Sequence, residues 1–256
     1  MVSFTGSTNV GAAIHEAGGA TMKRLLLELG GKGACVVLAD ADLEQALAAL
    51  VSVWGFHSGQ ICTAPTRAIV HRSQYDALVA GLKAAAPSLT IGPPESPDTI
   101  VGPVISGPHR DRVESYIQAG VDEGGDLLVD GRRPACVDRG YYVGPTLLGG
   151  CHNGMRVVRD EIFGPVIVVV PFDDDDEAVA IANDSDFGLY DYVFSADTAR
   201  AYAVAEQLEA GCVGINTAQR HREMAFGGWK MSGVGRDGGV FGMHAYTEMQ
   251  SILWPG

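Results

Sequence analysis

The sequence predicts an α/β fold with a mostly parallel sheet covered by helices. Two observations favour this class: apolar runs of strand length alternate with longer segments of helical periodicity, and glycine or proline separates most of them. Parallel strands need crossover connections, which helices commonly supply, so the alternation indicates parallel pairing. The 46% apolar content of the 256 residues is sufficient for such a core, and no internal repeat is visible.

The chain begins with a strand, a glycine turn and a helix. Residues 2–4 have the character of a strand end, TGSTNVG follows at 5–11, and residues 12–17 have helical character. A helix N-terminus after such a turn favours an anion, because free N–H groups and the helix dipole both attract negative charge. One glycine turn is weak evidence of a phosphate site, so a purely structural turn is an equally good interpretation.

The apolar run RLLLEL at 24–29 predicts a buried strand that ends at Gly30 and Gly31. Glu28 interrupts this run. Because burying a carboxylate is costly, Glu28 faces outward, pairs with a cation, or is retained for chemistry. The residues of this segment leave these interpretations open.

Cys62 lies in a short connection between a predicted helix and a predicted strand. The helix covers residues 43–56 after the strand CVVL at 35–38, and RAIVH at 67–71 forms the next strand. The stretch GQICTAP at 59–65 places the thiol in a tight turn, where a side chain can be held in a cleft. We interpret Cys62 as a nucleophile and the other four cysteines as buried, inert thiols.

The remaining chain continues the alternation. Helices are predicted at 74–86, 109–123, 178–183 and 198–210, strands at 126–129, 166–171, 190–195 and 212–216, and an extended segment at 141–148. The acidic run 173–177 suits the first turn of a helix, because negative charge there complements the dipole. The apolar run 246–254 predicts a final strand whose open edge needs cover, for example from another subunit.

The stretch EIFGP at 161–165 places an acid and an aromatic ring directly before the strand at 166–171. The Gly-Pro pair marks a turn. From these residues alone, a surface Glu161 and a core Phe163 form the simpler interpretation.

Composition and charge exclude several classes of protein. The formal net charge of −13 disfavours nucleic acid and anionic membranes as partners, because both require clustered Lys and Arg. No apolar run has the length of a membrane span, and no signal peptide is visible. Five scattered cysteines without a CxxC pair indicate a reducing cytoplasm and no disulfide framework, and the histidines show no metal-ligand spacing.

Several stretches, taken together and in order, resemble the NAD(P)-dependent aldehyde dehydrogenase superfamily, in particular its hydrolytic, acid-forming branch. Each alone is weak, but their order and spacing are specific and they extend over the whole chain. They are FTGST (4–8), ELGGK (28–32), GQICTA (59–64), EIFGPV (161–166), GLYDYVFS (188–195), FGGWKMSGVGR (226–236) and YTEMQSI (246–252).

The resemblance implies a covalent mechanism. Cys62 attacks the aldehyde carbonyl, hydride passes to the nicotinamide ring, and water hydrolyses the resulting thioester with Glu28 as general base. The Cys62 backbone N–H contributes to an oxyanion hole. The resemblance also implies NAD or NADP as cofactor, a small-molecule aldehyde as substrate, a homo-oligomer for the full-length family, and cofactor contacts from Gly6, Ser7, Gly31, Glu161 and Phe163.

The chain departs from the family in length, because family members are about twice as long. The resemblance therefore implies residues 1–30 as a remnant of a Rossmann-like cofactor domain, 31–228 as the catalytic domain, and 229–256 as a return segment with an oligomerisation strand. We expect weak NAD(P) binding by this chain alone. A non-catalytic remnant, a cofactor-independent thiol esterase and a CoA-acylating enzyme remain alternatives, and Glu28 disfavours the last of them.

Overall fold

The computed structural model describes residues 1–256 and contains twelve strands and eight α-helices. The strands are β1 (Val2–Thr5), β2 (Leu25–Glu28), β3 (Ala34–Val37), β4 (Arg67–His71), β5 (Asp126–Val129), β6 (Thr146–Gly149), β7 (Val166–Phe172), β8 (Phe187–Gly188), β9 (Tyr190–Phe194), β10 (Cys212–Ile215), β11 (Trp229–Lys230) and β12 (Gly233–Val234). The helices are α1 (Thr8–Gly19), α2 (Leu43–Trp54), α3 (Arg72–Ala85), α4 (Gly107–Asp122), α5 (Arg156–Arg159), α6 (Asp175–Asn183), α7 (Thr198–Ala205) and α8 (Gly239–Ala245).

A seven-stranded sheet forms the centre of the molecule, with the order β10-β9-β3-β4-β7-β6-β5. All neighbours in it are parallel except β5, which pairs antiparallel with β6 at one edge. Alternate residues of a strand point to opposite faces, so Val37 packs with α2 and α3 residues while Val36 packs with α6 and α7 residues. The predicted α/β class with a mostly parallel, helix-covered sheet is confirmed.

Helix ends follow the capping chemistry of the sequence. Asp42 begins α2, and its side chain accepts hydrogen bonds from two backbone N–H groups of the first turn. Asp174 does the same for α6 by accepting from the N–H of Glu177, so the acidic run forms the start of that helix, as predicted. No helix in the structure combines the length and apolar character that crossing a bilayer requires.

A second, small sheet has the order β1-β2-β12. β1 runs parallel to β2, and β12 pairs antiparallel with β2 on its other side. Gly233 of β12 lies opposite Glu28 at the end of β2, and Thr5 of β1 lies opposite it on the other side, so backbone from both ends of the chain meets at this residue. The boundaries at residues 30 and 228 stay predictions, and this pairing joins the first and third of the predicted segments.

The strand predicted at 246–254 does not form within this single chain, and its pairing with another subunit stays a prediction. α8 ends at Ala245, and residues 247–256 pair with no strand. The guanidinium of Arg24 holds the start of this tail by donating to the carbonyls of Ala245 (2.7 Å) and Thr247 (2.5 Å). A strand requires a neighbouring strand to pair its backbone, and no strand of this chain takes that position, so the apolar side chains of Ile252, Leu253 and Trp254 stay exposed.

The extended segment predicted at 141–148 contains only one short strand, β6, which begins at Thr146. Pro145 has no N–H group for a ladder, so regular pairing starts after it. The short elements α5, α8, β8, β11 and β12 were not predicted, because two to seven residues give too little periodicity.

Candidate active site

The end of β2 connects the first glycine turn to the centre of the molecule. The N–H of Gly6 donates to the carbonyl of Glu28 (3.0 Å), and the N–H of Gly30 donates to Oγ1 of Thr8 (3.3 Å) in the first turn of α1. Both contacts join residues more than twenty positions apart. The turn before α1 is therefore held directly beside Glu28, and the Gly6 amide is occupied by this contact.

Gly31 brings Cys62 and Glu161 together. Its N–H donates to Oε1 of Glu161 (3.0 Å), and a Cβ added to it would overlap the backbone carbonyl oxygen of Cys62. A Cβ added to the preceding Gly30 would overlap Oε2 of Glu161. The glycine pair is therefore required by close approach of two other segments, and it joins three of the predicted site residues in one contact set.

Gly31→Ala is expected to displace the Cys62 turn, because the neighbouring atom is backbone and cannot rotate away. Overpacking of this kind costs about 1–3 kcal/mol of the free energy of unfolding, which denaturant titration would measure. Gly19→Ala is the matched control, since a Cβ there meets no atom within 4 Å. Equal stability of the two variants would contradict the close contact at Gly31.

Cys62 follows a tight, unusual turn. His57, Ser58 and Gly59 have successive φ values of 48°, 58° and 70°, in the left-handed region that costs energy for residues with a Cβ. Gly59 packs against the backbone of Gly164, where a Cβ would overlap, and the Ser58 hydroxyl donates to the carbonyl of Gly102 (2.8 Å). These contacts hold the turn in place, and they leave the free thiol of Cys62 half-buried.

The surroundings of Cys62 raise the pKa of its thiol. Burial is the largest cause, and the nearby negative charges of Glu161 and Glu28 add to it. A hydrogen bond from its own backbone N–H and the positive charge of Arg220 act in the opposite direction. This N–H donates to no carbonyl or other side chain of the protein, so it is available to a bound oxygen. The thiol needs a base to become a thiolate near neutral pH.

Glu28 is buried, with 6% of its surface exposed, and neither carboxylate oxygen has a hydrogen-bond partner. Burial, together with the negative charge of Asp237, raises its pKa from the ordinary value of 4.5 to about 7, against opposing effects of two arginines. Buried polar groups are normally paired, so an unpaired carboxylate with this pKa indicates a group kept for chemistry. The structure thereby disfavours the outward-facing and salt-bridged interpretations.

Glu28→Gln is expected to stabilise the fold at alkaline pH. A carboxyl whose folded-state pKa is raised penalises the native state as it ionises, so this penalty grows between about pH 4.5 and 7 and then stays constant. The variant should exceed the wild type by about 2–3 kcal/mol at pH 8 and equal it near pH 4. Denaturant titrations across this range would check it. Glu95→Gln, at an exposed loop position, should keep the wild-type pH dependence.

Phe163 has a left-handed backbone, with φ of 60°, and its ring is 37% exposed. Nε2 of His109 makes a 2.8 Å hydrogen bond to the Phe163 carbonyl, which supports this conformation from α4. The simpler interpretation of Phe163 as a core residue is therefore wrong. The following Gly164 and Pro165 are buried, so the turn exposes the ring while its ends stay anchored.

A cleft of about 400 Å³ includes Ser7 and Glu161 in its lining. Ser7 begins α1, and its side chain makes no capping hydrogen bond. Gly6, Gly31, Cys62 and Phe163 are not part of the lining. The other lining residues are Thr8, Asn9, Arg112, Tyr116, Arg159, Asp160, Asp186 and Phe187.

Sequence reasoning assigned no role to several charged residues close to these groups. Arg112 donates to the backbone carbonyl of Glu161 (2.8 Å), and the charges of Arg112 and buried Lys32 oppose the rise in the pKa of the Glu161 carboxyl that burial causes. The negative charge of Asp237 raises the pKa of the Glu28 carboxyl. Lys32 is the last residue of the motif at 28–32 and Asp237 directly follows the motif at 226–236, but Arg112 lies in an ordinary amphipathic helix that carries no signal.

Comparisons with known proteins settle the family. A sequence model described as the aldehyde dehydrogenase family matches residues 1–252. The chain belongs to the aldehyde dehydrogenase family. A Staphylococcus saprophyticus protein with a provisional aldehyde dehydrogenase name is 40% identical over 253 residues, which are 98% of this chain and 53% of that protein. This chain therefore spans about half the length of the curated relatives that it matches.

Solved aldehyde dehydrogenases have the same fold. The Mycobacterium tuberculosis enzyme, complexed with NAD⁺, has a TM-score of 0.96 and 38% identity, over 99% of this chain and 52% of that chain. Betaine aldehyde dehydrogenase from Staphylococcus aureus, in complex with NAD⁺, has a TM-score of 0.91 and 37% identity, over 96% of this chain and 50% of that chain. The predicted resemblance to the aldehyde dehydrogenase superfamily and the predicted fold are both confirmed.

Proposed function

We propose that this chain oxidises an aldehyde to a carboxylic acid with NAD⁺ or NADP⁺, as the catalytic part of an aldehyde dehydrogenase in which residues 31–228 form the catalytic domain. One observation carries the proposal. Cys62 lies close enough to Glu28 for the carboxylate to raise the thiol pKa, and Glu28 is itself a buried, unpaired acid with a pKa of about 7. A thiol nucleophile beside such a base suits covalent catalysis followed by hydrolysis.

The proposed reaction starts at the sulfur. Glu28 accepts the Cys62 proton, Sγ bonds to the aldehyde carbon, and the carbonyl oxygen becomes an oxyanion beside the Cys62 N–H, which donates to no other residue. A bound nicotinamide cofactor supplies the acceptor for the hydride that this thiohemiacetal loses, which leaves a thioester on Cys62. Glu28 then releases the Cys62 proton to solvent and takes a proton from water, hydroxide adds to the thioester carbon, and the carbon–sulfur bond breaks to release the acid and the Cys62 thiolate.

Several residues fit a nicotinamide dinucleotide. The uncapped Ser7 at the start of α1 and the cleft it shares with Glu161 offer a helix N-terminus and a carboxylate at one surface. We propose Gly6 and Ser7 beside the pyrophosphate, Glu161 on the ribose hydroxyls, Gly31 lining the nicotinamide site, and the exposed ring of Phe163 beside the nicotinamide. The NAD⁺ complexes of the two solved relatives support the cofactor class.

Glu161→Ala tests the cofactor assignment. Loss of the carboxylate removes a hydrogen-bond acceptor for the cofactor but leaves the thiol in place. The KM for NAD⁺ should rise about tenfold, because a hydrogen bond to a charged group contributes roughly that factor. Ester hydrolysis without nucleotide should be retained. A KM for NAD⁺ equal to that of the wild type would remove Glu161 from the cofactor site.

The direct test of the proposed function follows the absorbance of reduced nicotinamide with the purified chain, a set of aldehydes, and NAD⁺ or NADP⁺. Cofactor reduction with formation of the acid is the expected outcome, at high cofactor concentration because we expect weak NAD(P) binding by this chain alone. Hydrolysis of an activated ester without any cofactor reduction would favour the second candidate, a cofactor-independent thiol esterase, which needs only the Cys62 thiol with Glu28 nearby. Inactivity in both assays would favour a non-catalytic remnant. In the CoA-acylating alternative, coenzyme A and not water resolves the thioester. Formation of an acyl-CoA instead of the free acid, when coenzyme A is added to the assay, would favour that alternative.

We also propose a homo-oligomer in the reducing cytoplasm. The tail beyond α8 exposes apolar side chains, including Met249, Ile252, Leu253 and Trp254, which a second subunit could cover. All five cysteines are free, as expected in a reducing compartment. Light scattering of the purified chain would measure its mass, and a monomer at all concentrations would contradict the assembly.

A further inference from the structure

A loop at residues 216–225, after β10, borders a pocket of about 110 Å³ near the proposed active site. This loop carries two arginines, Arg220 and Arg222, with His221 between them, and all three line the pocket. Other lining residues are Tyr190, Cys212, Phe226 and Asp237. The sequence carries a net charge of −13, so two cations at one small pocket are a local reversal of the overall charge.

A chain of contacts joins this loop to the Cys62 turn. The Tyr192 hydroxyl donates to the carbonyl of Thr63, the residue after Cys62, at 2.7 Å. The Tyr190 ring stacks on the Tyr192 ring with centroids 4.8 Å apart, and the Tyr190 hydroxyl donates to the carbonyl of Gln219 (3.3 Å). Gln219 directly precedes Arg220, so the two tyrosines fix the loop relative to the nucleophile.

A second set of contacts joins Arg220 to Glu28. The Arg220 guanidinium carbon lies 3.9 Å from the centroid of the Phe226 ring, a cation–π distance. The next residue, Gly227, packs on Glu28 so closely that an added Cβ would lie 2.9 Å from Oε1. The positive charge of Arg220 also acts to lower the pKa values of both Glu28 and Cys62. Arg220 is therefore held, with its side chain exposed, beside a segment that contacts Glu28.

Neither Arg220 nor Arg222 forms an ion pair with a carboxylate, whereas eight other arginines of the protein do. Asp237 is the single acid in the pocket lining, and its Oδ1 accepts a hydrogen bond from the N–H of Gly238 (2.8 Å). A guanidinium is a fork of donors that matches a carboxylate in shape and charge. The pocket therefore has unused capacity for one anionic group.

We propose that Arg220, with Arg222, binds a carboxylate at the far end of the substrate, so that the substrate class is an aldehyde that carries its own acid group. This inference rests on the proposed function, since it places the aldehyde carbon at Cys62 and the carboxylate at the loop. Arg220 is then a specificity-determining residue. Neutral aldehydes of equal length would leave the guanidinium without a partner and would react more slowly.

The first test compares two alkylating reagents at Cys62, iodoacetate and iodoacetamide, which differ by one negative charge. In both reactions the Cys62 thiolate forms a bond to the CH₂ carbon and iodide leaves, so the ratio of the two rates does not depend on the thiol pKa. Arg220→Gln should lower the iodoacetate-to-iodoacetamide ratio about threefold to tenfold, as expected for one charge near the solvent. Mass spectrometry of the Cys62 peptide provides the rates.

Arg139→Gln is the matched control, because Arg139 is exposed, forms no ion pair, and lies in the loop after β5 at the opposite edge of the large sheet from β10. It removes the same charge and should leave the ratio of rates unchanged. Equal ratios in the wild type, Arg220→Gln and Arg139→Gln would overturn the inference.

A second measurement separates this inference from the proposed function. Calorimetric titration of the Cys62→Ala variant with 4-oxobutanoate and with butanal compares a charged and a neutral aldehyde without any reaction at residue 62. Tighter binding of 4-oxobutanoate, lost in the double variant with Arg220→Gln, supports the anion site even if cofactor reduction is never observed. Equal binding of the two aldehydes overturns the anion site, while oxidation of neutral aldehydes by the wild type would leave the proposed function standing.

Discussion

Cys62→Ala should abolish both the aldehyde oxidation and any ester hydrolysis by this chain. The thiol is the proposed bonding atom in both reactions, and alanine has no group that can replace it. Loss of a catalytic nucleophile costs about a thousandfold or more in kcat, so the residual rate should equal that of the solution without protein. Because Cys62 is half-buried and unpaired, the change should leave the folded structure intact, which circular dichroism would check.

Cys136→Ala is the matched control for this variant. Cys136 is exposed, so its interpretation as a buried thiol is wrong, and it lies in the loop between β5 and β6, away from the turn that carries Cys62. Its replacement should leave both rates at the wild-type level. Ester hydrolysis that survives in Cys62→Ala but not in Cys136→Ala would assign the nucleophile to a different part of the molecule.

Glu28→Gln should slow hydrolysis of the thioester more than its formation. The amide occupies the volume of the carboxylate but cannot accept a proton from water, and loss of a general base costs about 10²–10⁴-fold. An acyl group should therefore accumulate on Cys62, detectable as a mass increase of the protein after rapid acid quench. The same change should remove the part of the pH dependence that is centred near pH 7, while ionisation of the Cys62 thiol, whose pKa is raised, still increases the rate at higher pH. In the wild type, the rate should rise with pH up to about 7, where Glu28 becomes the charged base, and then level off.

Two results would contradict this role of Glu28. One is a wild-type rate that stays constant between pH 5 and 8 while chemistry limits turnover. The other is a Glu28→Gln variant that turns over as fast as the wild type with no acyl-enzyme. Glu95→Gln, on the exposed loop, should retain both the rate and the pH profile and therefore controls for loss of one negative charge.

Local sequence predicted the large sheet well because its strands are buried on both faces. β3, β4 and β7 consist largely of apolar residues, so their positions are visible without knowledge of their neighbours. The strand predicted at 246–254 does not form within this chain, for the complementary reason. Its apolar residues have strand character, but pairing depends on a partner backbone, and this property is not contained in the run itself.

The candidate site shows the same division between what local sequence predicts and what depends on contacts between distant segments. The motifs around Glu28, Cys62 and Glu161 predict these residues as site residues. From the residues alone, however, an outward-facing Glu28 and a surface Glu161 were reasonable interpretations. The structure decided against the first, because β1 and β12 flank β2 and leave both Glu28 oxygens buried and unpaired. Phe163 has the composition of a core residue, but the structure shows it exposed, because its left-handed backbone conformation directs the ring outward.

The sequence by itself determined the α/β class, the main strands and helices and the resemblance to aldehyde dehydrogenases, and it predicted Cys62, Glu28 and Glu161 as site residues. These properties depend on local composition, periodicity and motif order. Only the tertiary structure decided that Gly31 contacts both Cys62 and Glu161, that burial and Asp237 raise the pKa of Glu28, and that Arg220 lies without a carboxylate partner beside the site. The reason is physical: desolvation and charge interactions depend on distances between segments far apart in the chain, and folding alone sets those distances.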